Sequence, residues 1–171
     1  MKILGIPQCQ YKKSKLIVKE KSCCFTGHRK IKKSEFDLVQ LKWKESILQA
    51  IETSVTTFIC GGALGFDTLA ALEVLEQKKS NKNMQLVMAL PCKEQYKNWK
   101  EKDKIIYQTI LQKADKIIYV SEKYSNDCML KRNRYMIDNS NYCICYLRYP
   151  KSGTAYTVNY AKDNHSILIC I

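Results

Sequence analysis

The sequence has no long apolar segment, and its hydrophobic runs stay below the roughly 18 residues that a membrane-spanning helix needs. The N-terminal segment is basic and lacks the apolar stretch of a secretory signal. We therefore expect a cytoplasmic protein without a membrane partner.

Metal-binding patterns are also missing. The chain has nine cysteines and two histidines, but no two cysteines stand in a CxxC spacing. Zinc sites are usually built from such closely spaced ligands, so we expect neither a metal nor a cofactor. Five cysteines lie in short β-branched or aromatic runs, where a free cysteine behaves as a small buried hydrophobe. They are Cys23, Cys24, Cys60, Cys143 and Cys145.

Positive charge is concentrated near the N-terminus. The 171 residues carry a net charge of +13, and Met1–Lys33 holds ten Lys/Arg residues against one acid, Glu20. This excess favours a nucleic-acid backbone or a polyphosphate as partner, and it is equally compatible with a solvated edge that binds nothing. Because residues 1–21 show weak periodicity, we predict a basic arm or an edge strand there, followed by one domain over residues 22–171.

From Ser22 onwards, short apolar runs alternate with helical patterns. The first helix is predicted to start at Ser34 as its N-cap, and the later helices at 65–79, 104–113, 127–139 and 153–162. Strands are predicted at Ser22–Thr26, Thr57–Cys60, Met84–Leu90, Lys116–Val120, Tyr142–Leu147 and Ser166–Cys170. Such strands, apolar throughout, are typical of a sheet covered on both faces. The sequence predicts an α/β, Rossmann-like three-layer domain with a mainly parallel sheet.

In such folds, ligands bind beyond the carboxyl ends of the strands, where the strand order reverses. Four candidate site residues follow the first strand: Thr26, Gly27, His28 and Arg29. Gly27 permits a tight turn, and the planar Arg29 guanidinium suits a phosphate or carboxylate. A turn with solvated side chains is the alternative.

A second candidate segment follows the second strand and includes Gly61, Gly62, Gly65 and Asp67. Glycines between a strand and a helix let backbone amides approach an anion at the helix N-terminus. The segment matches neither GxGxxG nor the Walker A motif. Asp67 is expected to cap the helix or to accept a ribose hydroxyl.

Further candidates follow the later strands. Trp99 is expected either to stack on a base or to pack in the core. Arg132 and Asn133 belong to a polar cluster at the helix after the fourth strand, and Ser152, Gly153 and Thr154 open the helix after the fifth. Gly153 and Thr154 there form a second candidate anion nest. We predict one crevice lined by the segments after strands one, two, four and five.

These segments resemble the SLOG superfamily, which groups DprA/Smf proteins with LOG phosphoribohydrolases, and are most similar to its YpsA-type, GHR-containing branch. The resemblance covers residues 22–169 through CCFTGHR, FICGGALGFDTLAAL, ALPCKEQYKNW, ADKIIYVSEKY, CMLKRNRYMIDNS and KSGTAYTVNYA. It implies a Rossmann-like fold with a nucleotide site lined by Gly27, His28, Arg29, Gly61, Gly62, Gly65, Asp67, Arg132, Asn133, Gly153 and Thr154.

One departure concerns the LOG reaction. LOG hydrolases resemble this chain at Arg132, but their downstream PGGxGTxxE motif ends in a glutamate where this chain has Thr157. Without that carboxylate, N-glycosidic cleavage loses a general acid/base or cation-stabilising group. Glu94, Asp67 or Asp127 remain alternative sources of a carboxylate.

The sequence therefore favours a protein that binds a phosphorylated, nucleotide-derived small molecule resembling ADP-ribose or an NAD derivative, as a sensor or sequestering protein in signalling or defence. We expect binding without turnover, by a homodimer or a higher homo-oligomer. Two alternatives remain: a LOG-like hydrolase of nucleotide N-glycosidic bonds, and a DprA-like binder of single-stranded DNA. The modest charge of the domain body argues against DNA.

Overall fold

The computed structural model describes residues 17–171, in which six parallel strands are covered by helices on both faces. The strands are β1 (Ser22–Gly27), β2 (Thr57–Cys60), β3 (Gln85–Leu90), β4 (Lys116–Tyr119), β5 (Tyr142–Tyr146) and β6 (Ile167–Cys170). The helices are α1 (Phe36–Glu52), α2 (Phe66–Ser80), α3 (Glu101–Lys113), α4 (Cys128–Asp138) and α5 (Gly153–Asp163). The predicted Rossmann-like three-layer fold is confirmed.

The order of the strands places the switch point beside β1. The sheet runs β4-β3-β2-β1-β5-β6, with every neighbouring pair parallel. The chain winds outwards from β1 to β4 and then returns to β5 on the other side of β1. Right-handed crossovers consequently place α1, α2 and α3 on one face, and α4 and α5 on the other. The carboxyl ends of β1 and β5 therefore diverge into a crevice.

Large side chains fill the layer beneath α1, α2 and α3, including Phe25, Trp43, Phe58 and Phe66. The layer beneath α4 and α5 is built from smaller residues and from cysteines of the central strands. The five cysteines expected in the core are buried and carry free thiols, as predicted. In this chain cysteine therefore replaces valine or alanine as a filler between sheet and helices.

Several strand boundaries shift by one residue, and the starts of two helices, α1 and α3, differ from the prediction in a way that has a physical reason. Ser34 lies inside a one-turn 3₁₀ helix (Lys33–Glu35), and α1 starts after Glu35 without a side-chain cap, so the predicted Ser34 cap is wrong. The helix predicted from Lys104 starts at Glu101. The sequence pattern missed this first turn because the turn is polar and shows no apolar periodicity. The outer strands β4 and β6 are partly exposed because each has a neighbour on one side.

The N-terminal prediction falls mainly on residues 1–16, which lie outside the described residues, so the basic arm or edge strand stays a prediction. Its last residues, Lys19–Lys21, form a single 3₁₀ turn before β1. Between residues 17 and 171, none of the helices is both long and apolar enough to cross a bilayer.

Candidate functional site

A cavity of about 330 Å³ opens at the switch point, at the carboxyl ends of β1 and β5. This size lies at the small end of the range for small-molecule sites. The segments after β1 and β5 form two sides, and α4 and the β2–α2 segment complete the wall. The polar lining residues are Thr26, His28, Arg29, Asp67, Arg132, Asn133, Ser152 and Thr154, joined by Phe25, Gly27, Ala63, Met129, Leu130, Met136 and Gly153.

The segment after β1 brings one exposed cation to the cavity. Arg29 has no acidic partner within 4.0 Å among residues 17–171, so its guanidinium is available to an anion. Gly27 is required for packing, because a Cβ there would lie 2.5 Å from Cγ of Phe66 on α2. The close approach of α2 thus fixes the direction in which the segment leaves the sheet.

A buried ion pair forms the deep side of the cavity. Nη1 of Arg132 donates to the carbonyl of Gly61 and lies 3.8 Å from Oδ2 of Asp67, whose side chain is 7% exposed. Nε of Arg132 donates to Oδ1 of Asn133 at 2.7 Å, and the amide of Ala63 donates to Oδ2 of Asp67 at 3.3 Å. These contacts leave Nη2 of Arg132 without a hydrogen-bond partner among the described residues, and Arg132 lines the cavity.

Opposing effects act on the titration of this pair. Burial raises the pKa of the Asp67 carboxyl, while the Arg132 guanidinium and the amide of Ala63 act in the opposite direction. Burial likewise lowers the pKa of Arg132, opposed chiefly by Asp67. Arginine nevertheless keeps its charge because its intrinsic pKa is so high. It is therefore the Asp67 carboxylate that depends on its partner Arg132 to remain charged in this buried position.

The N-terminus of α5, which is the positive end of the helix dipole, faces the cavity. Ser152 is its N-cap, and its Oγ accepts from the amide of Ala155 at 3.1 Å. The amides of Gly153 and Thr154 belong to the first turn and have no intrahelical carbonyl to bind. A Cβ at Gly153 would meet no atom within 4 Å, so its surroundings are open to a ligand. This is the arrangement in which helix N-termini bind phosphate.

His28 joins the β1 and β5 sides of the cavity. Its Nε2 accepts from the amides of Arg148 at 2.9 Å and Tyr149 at 3.3 Å, and its Nδ1 lies 3.4 Å from Oγ1 of Thr154. Burial lowers the pKa of His28. Because two N–H groups point at Nε2, this nitrogen carries no proton, and the neutral ring must hold its proton on Nδ1.

The three glycines after β2 have packing roles, and the structure brings none of them to the cavity wall. A Cβ on Gly61 would overlap the Arg132 guanidinium, and one on Gly65 would overlap the backbone of Arg29. Gly62 has a φ of +68°, and a Cβ there would lie 2.7 Å from Leu90. Of the three, Gly61 packs against the ion pair, and the approach of these amides to an anion stays a prediction.

The three alternative sources of a carboxylate differ in whether they line the cavity. Thr157, at the position of the LOG glutamate, is buried; its hydroxyl donates to the carbonyl of Gly153 at 2.9 Å and accepts from Asn133 at 2.8 Å. Asp67 lines the cavity, whereas Glu94 and Asp127 do not. Bonds from Ser125 and Lys131 hold Asp127 at the surface and lower its pKa.

Sequence reasoning missed the apolar wall of the cavity, formed by Met129, Leu130 and Met136 of α4 with Phe25 of β1. Met129, Arg132 and Met136 are spaced by three and four residues, which places them on one helix face. That spacing could have revealed the wall once Arg132 was chosen. Trp99, the alternative aromatic candidate, packs against Tyr107 with ring centroids 5.2 Å apart.

Metal coordination finds no support in the described region: residues 17–171 contain no group of three or more His, Cys, Asp or Glu side chains placed to hold an ion. The cavity instead combines two guanidinium groups, a helix N-terminus, one carboxylate and an apolar wall. In Rossmann-like folds the switch point is where ligands bind, and the guanidinium groups and the helix N-terminus there favour negative charge.

Residues 23–167 match the YpsA family, described as the YspA SLOG family, and the chain belongs to it. The SPbeta prophage-derived protein YoqJ of Bacillus subtilis is 37% identical over 142 residues, covering 73% of this chain and 83% of YoqJ. The UPF0398 protein BH1768 of Halalkalibacterium halodurans is 28% identical over 127 residues, covering 72% of this chain and 67% of its own length.

Solved structures with the same fold include two DNA processing proteins A (DprA). The Helicobacter pylori protein, described by its single-stranded DNA binding mode, aligns with a TM-score of 0.64 at 20% identity, over 89% of this chain and 65% of its own. The Streptococcus pneumoniae protein aligns with a TM-score of 0.62 at 15% identity, over 87% and 49%. This chain thus spans about two thirds of one DprA and half of the other.

Proposed function

We propose that the switch-point cavity binds a phosphorylated, nucleotide-derived small molecule resembling ADP-ribose or an NAD derivative. The observation that carries this proposal is the convergence of Arg29, Arg132 and the N-terminus of α5 on one cavity. All three favour negative charge, and the single carboxylate among them, Asp67, is paired with Arg132.

The remaining wall suits the nucleoside part of such a ligand. A phosphate placed at the amides of Gly153 and Thr154 leaves the apolar surface of Met129 and Met136 facing the ribose and base. Methionine adapts its shape and makes favourable contacts with aromatic rings. The Asp67 carboxylate lines the cavity and is placed to accept a ribose hydroxyl.

Calorimetric titration with ADP-ribose, AMP, ribose 5-phosphate and adenosine tests the proposal. We expect saturable binding of the phosphorylated compounds and much weaker binding of adenosine. Arg29→Met should weaken ADP-ribose binding about tenfold or more, since a hydrogen bond to a charged group contributes about 1.5–3 kcal/mol. Lys30→Met is the matched control, because Lys30 is exposed beside Arg29 and does not line the cavity. Equal affinity for adenosine and AMP would contradict the proposal.

Sensing or sequestering, rather than hydrolysis, is the form of activity that we propose. The hydroxyl of Thr157 is engaged within α5 and α4, so the carboxylate of the LOG-type motif has no replacement at that position. Incubation with AMP, ADP-ribose and NAD, followed by chromatography, should show no release of the base. Base release that Asp67→Asn abolishes would instead establish a hydrolase in which Asp67 supplies the carboxylate.

A further inference from the structure

We propose that His28 is a positioning residue for the anion, and that its neutral Nδ1–H tautomer prepares Thr154 to donate to the ligand. This inference rests on the proposed function of the same cavity. Its starting point is the hydrogen-bond geometry of one imidazole ring, which connects the segment after β1 to both ends of the β5–α5 loop.

The tautomer follows from the donors around the ring. The amides of Arg148 and Tyr149 both point at Nε2, so this nitrogen is an acceptor. A neutral imidazole then carries its proton on Nδ1, 3.4 Å from Oγ1 of Thr154. Oγ1 of Thr154 accepts a hydrogen bond from this N–H, and the Thr154 hydroxyl hydrogen is left to donate into the cavity that the residue lines.

The opposite tautomer would reverse this arrangement. With the proton on Nε2, the N–H of the ring would face the two backbone N–H groups and could not accept from them. Nδ1 would then become an acceptor for the Thr154 hydroxyl. The ligand would lose one donor, and the loop that leads into α5 would lose its anchor. His28 therefore controls both the position of the α5 N-terminus and the direction of the Thr154 hydroxyl.

Protonation of His28 would disrupt the same network, because the imidazolium has no acceptor nitrogen. The charged and titratable groups around the ring are Arg29, Asp67, Arg132, the ion pair of Arg148 with Glu35 (Nη2 to Oε1, 2.6 Å), Tyr146 and Tyr149. Burial lowers the pKa of His28 below its ordinary value near 6.5, so the neutral ring is retained at physiological pH. Ligand binding should accordingly weaken only once the pH falls to the lowered pKa of His28, which lies below the ordinary value.

The first test needs no ligand. Long-range ¹H–¹⁵N correlation spectra of the free protein report which imidazole nitrogen is protonated. The sequence contains two histidines, His28 and the exposed His165. The signals that disappear in the variant His165→Gln belong to His165, which then serves as the internal reference for an exposed ring. We expect a protonated Nδ1 and an unprotonated Nε2 for His28 near pH 7.5. A protonated Nε2 would overturn the proposal, whether or not the cavity binds nucleotides.

The second test measures ADP-ribose affinity against pH, because the diphosphate of this probe does not titrate near neutrality. The wild-type protein and His165→Gln should lose affinity in the acid range where His28 becomes protonated, below its ordinary pKa. In contrast, His28→Gln, whose amide oxygen can replace Nε2 as acceptor, should bind with little dependence on pH. His28→Phe should bind about tenfold more weakly or worse, as expected for two amides left without an acceptor. Identical pH profiles for the wild-type protein and His28→Gln would refute the role of His28. If neither the wild-type protein nor any of the variants binds ADP-ribose, the proposed function is refuted instead.

Discussion

Arg132→Met should lower the free energy of unfolding by about 3–5 kcal/mol near pH 7, the range observed when one partner of a buried ion pair is removed. The side chains of Arg132 and Asp67 are 6% and 7% exposed, so water does not screen the pair. The substitution keeps most of the side-chain volume but removes the cation beside Asp67 and the donor to the carbonyl of Gly61. The energetic loss therefore comes from the stranded carboxylate more than from a cavity.

The pH dependence separates these causes. Burial already raises the pKa of Asp67, and Arg132 is the main group that opposes this rise. In Arg132→Met, the pKa of Asp67 should rise further. A carboxyl with a raised pKa destabilises the folded protein above that pKa, and the penalty disappears below the pKa of the unfolded chain, about 3.9. The destabilisation should therefore shrink as the pH falls from 7 towards about 4.

Urea denaturation followed by circular dichroism, at neutral pH and near pH 4.5, measures this difference. Arg134→Met is the control, because Arg134 lies two residues along the same helix, is exposed and contacts Tyr156 and Tyr160. We expect it to change stability by less than about 1 kcal/mol at both pH values. A loss below about 1 kcal/mol for Arg132→Met, or a loss that is independent of pH, would refute the buried-charge explanation.

Three other predictions use the same protein. Gly61→Ala should destabilise the fold by about 1–3 kcal/mol, because the added Cβ would overlap Arg132. Its control, Gly153→Ala, should change stability by less than about 0.5 kcal/mol in the same urea assay. Equal effects of the two substitutions would contradict the packing role of Gly61. Ser152→Ala should lower stability by about 1 kcal/mol through loss of the N-cap, with Ser152→Asp retaining it. Iodoacetamide followed by peptide mapping should modify Cys170 before any of the seven buried cysteines between residues 17 and 171, and faster labelling of a buried one would show that the sheet opens.

The ends of β2 and β3 could be predicted from the sequence because each strand stops at a clear signal, Gly61 after β2 and Pro91 after β3. The predicted strand Thr57–Cys60 coincides with β2, since the glycines Gly61 and Gly62 stop the apolar run. The start of α1 could not be found in this way. Ser34 has the right chemistry for a cap, but the chain forms a 3₁₀ turn there first and its side chain caps nothing.

The strand topology accounts for the position of the cavity but not for its internal contacts. Residues after parallel strands converge at one edge, so Arg29, Arg132 and Gly153 were expected together. The sequence could not show that Arg132 is paired with Asp67 from another segment, or that Gly61 is small to make room for that pair. Such contacts join residues far apart in the chain, and they depend on distances that no local pattern encodes.

The proposed anion site at α5 is tested most directly by ¹H–¹⁵N spectra recorded during titration with ADP-ribose. We predict saturable shifts that are largest for the amides of Gly153 and Thr154 and for Nε–H of Arg29. The depression at the opposite end of the sheet, near Ser54 and Asn81, serves as reference and should remain unchanged. Shifts centred on that depression, or no saturable change at Gly153 and Thr154, would contradict the proposed site.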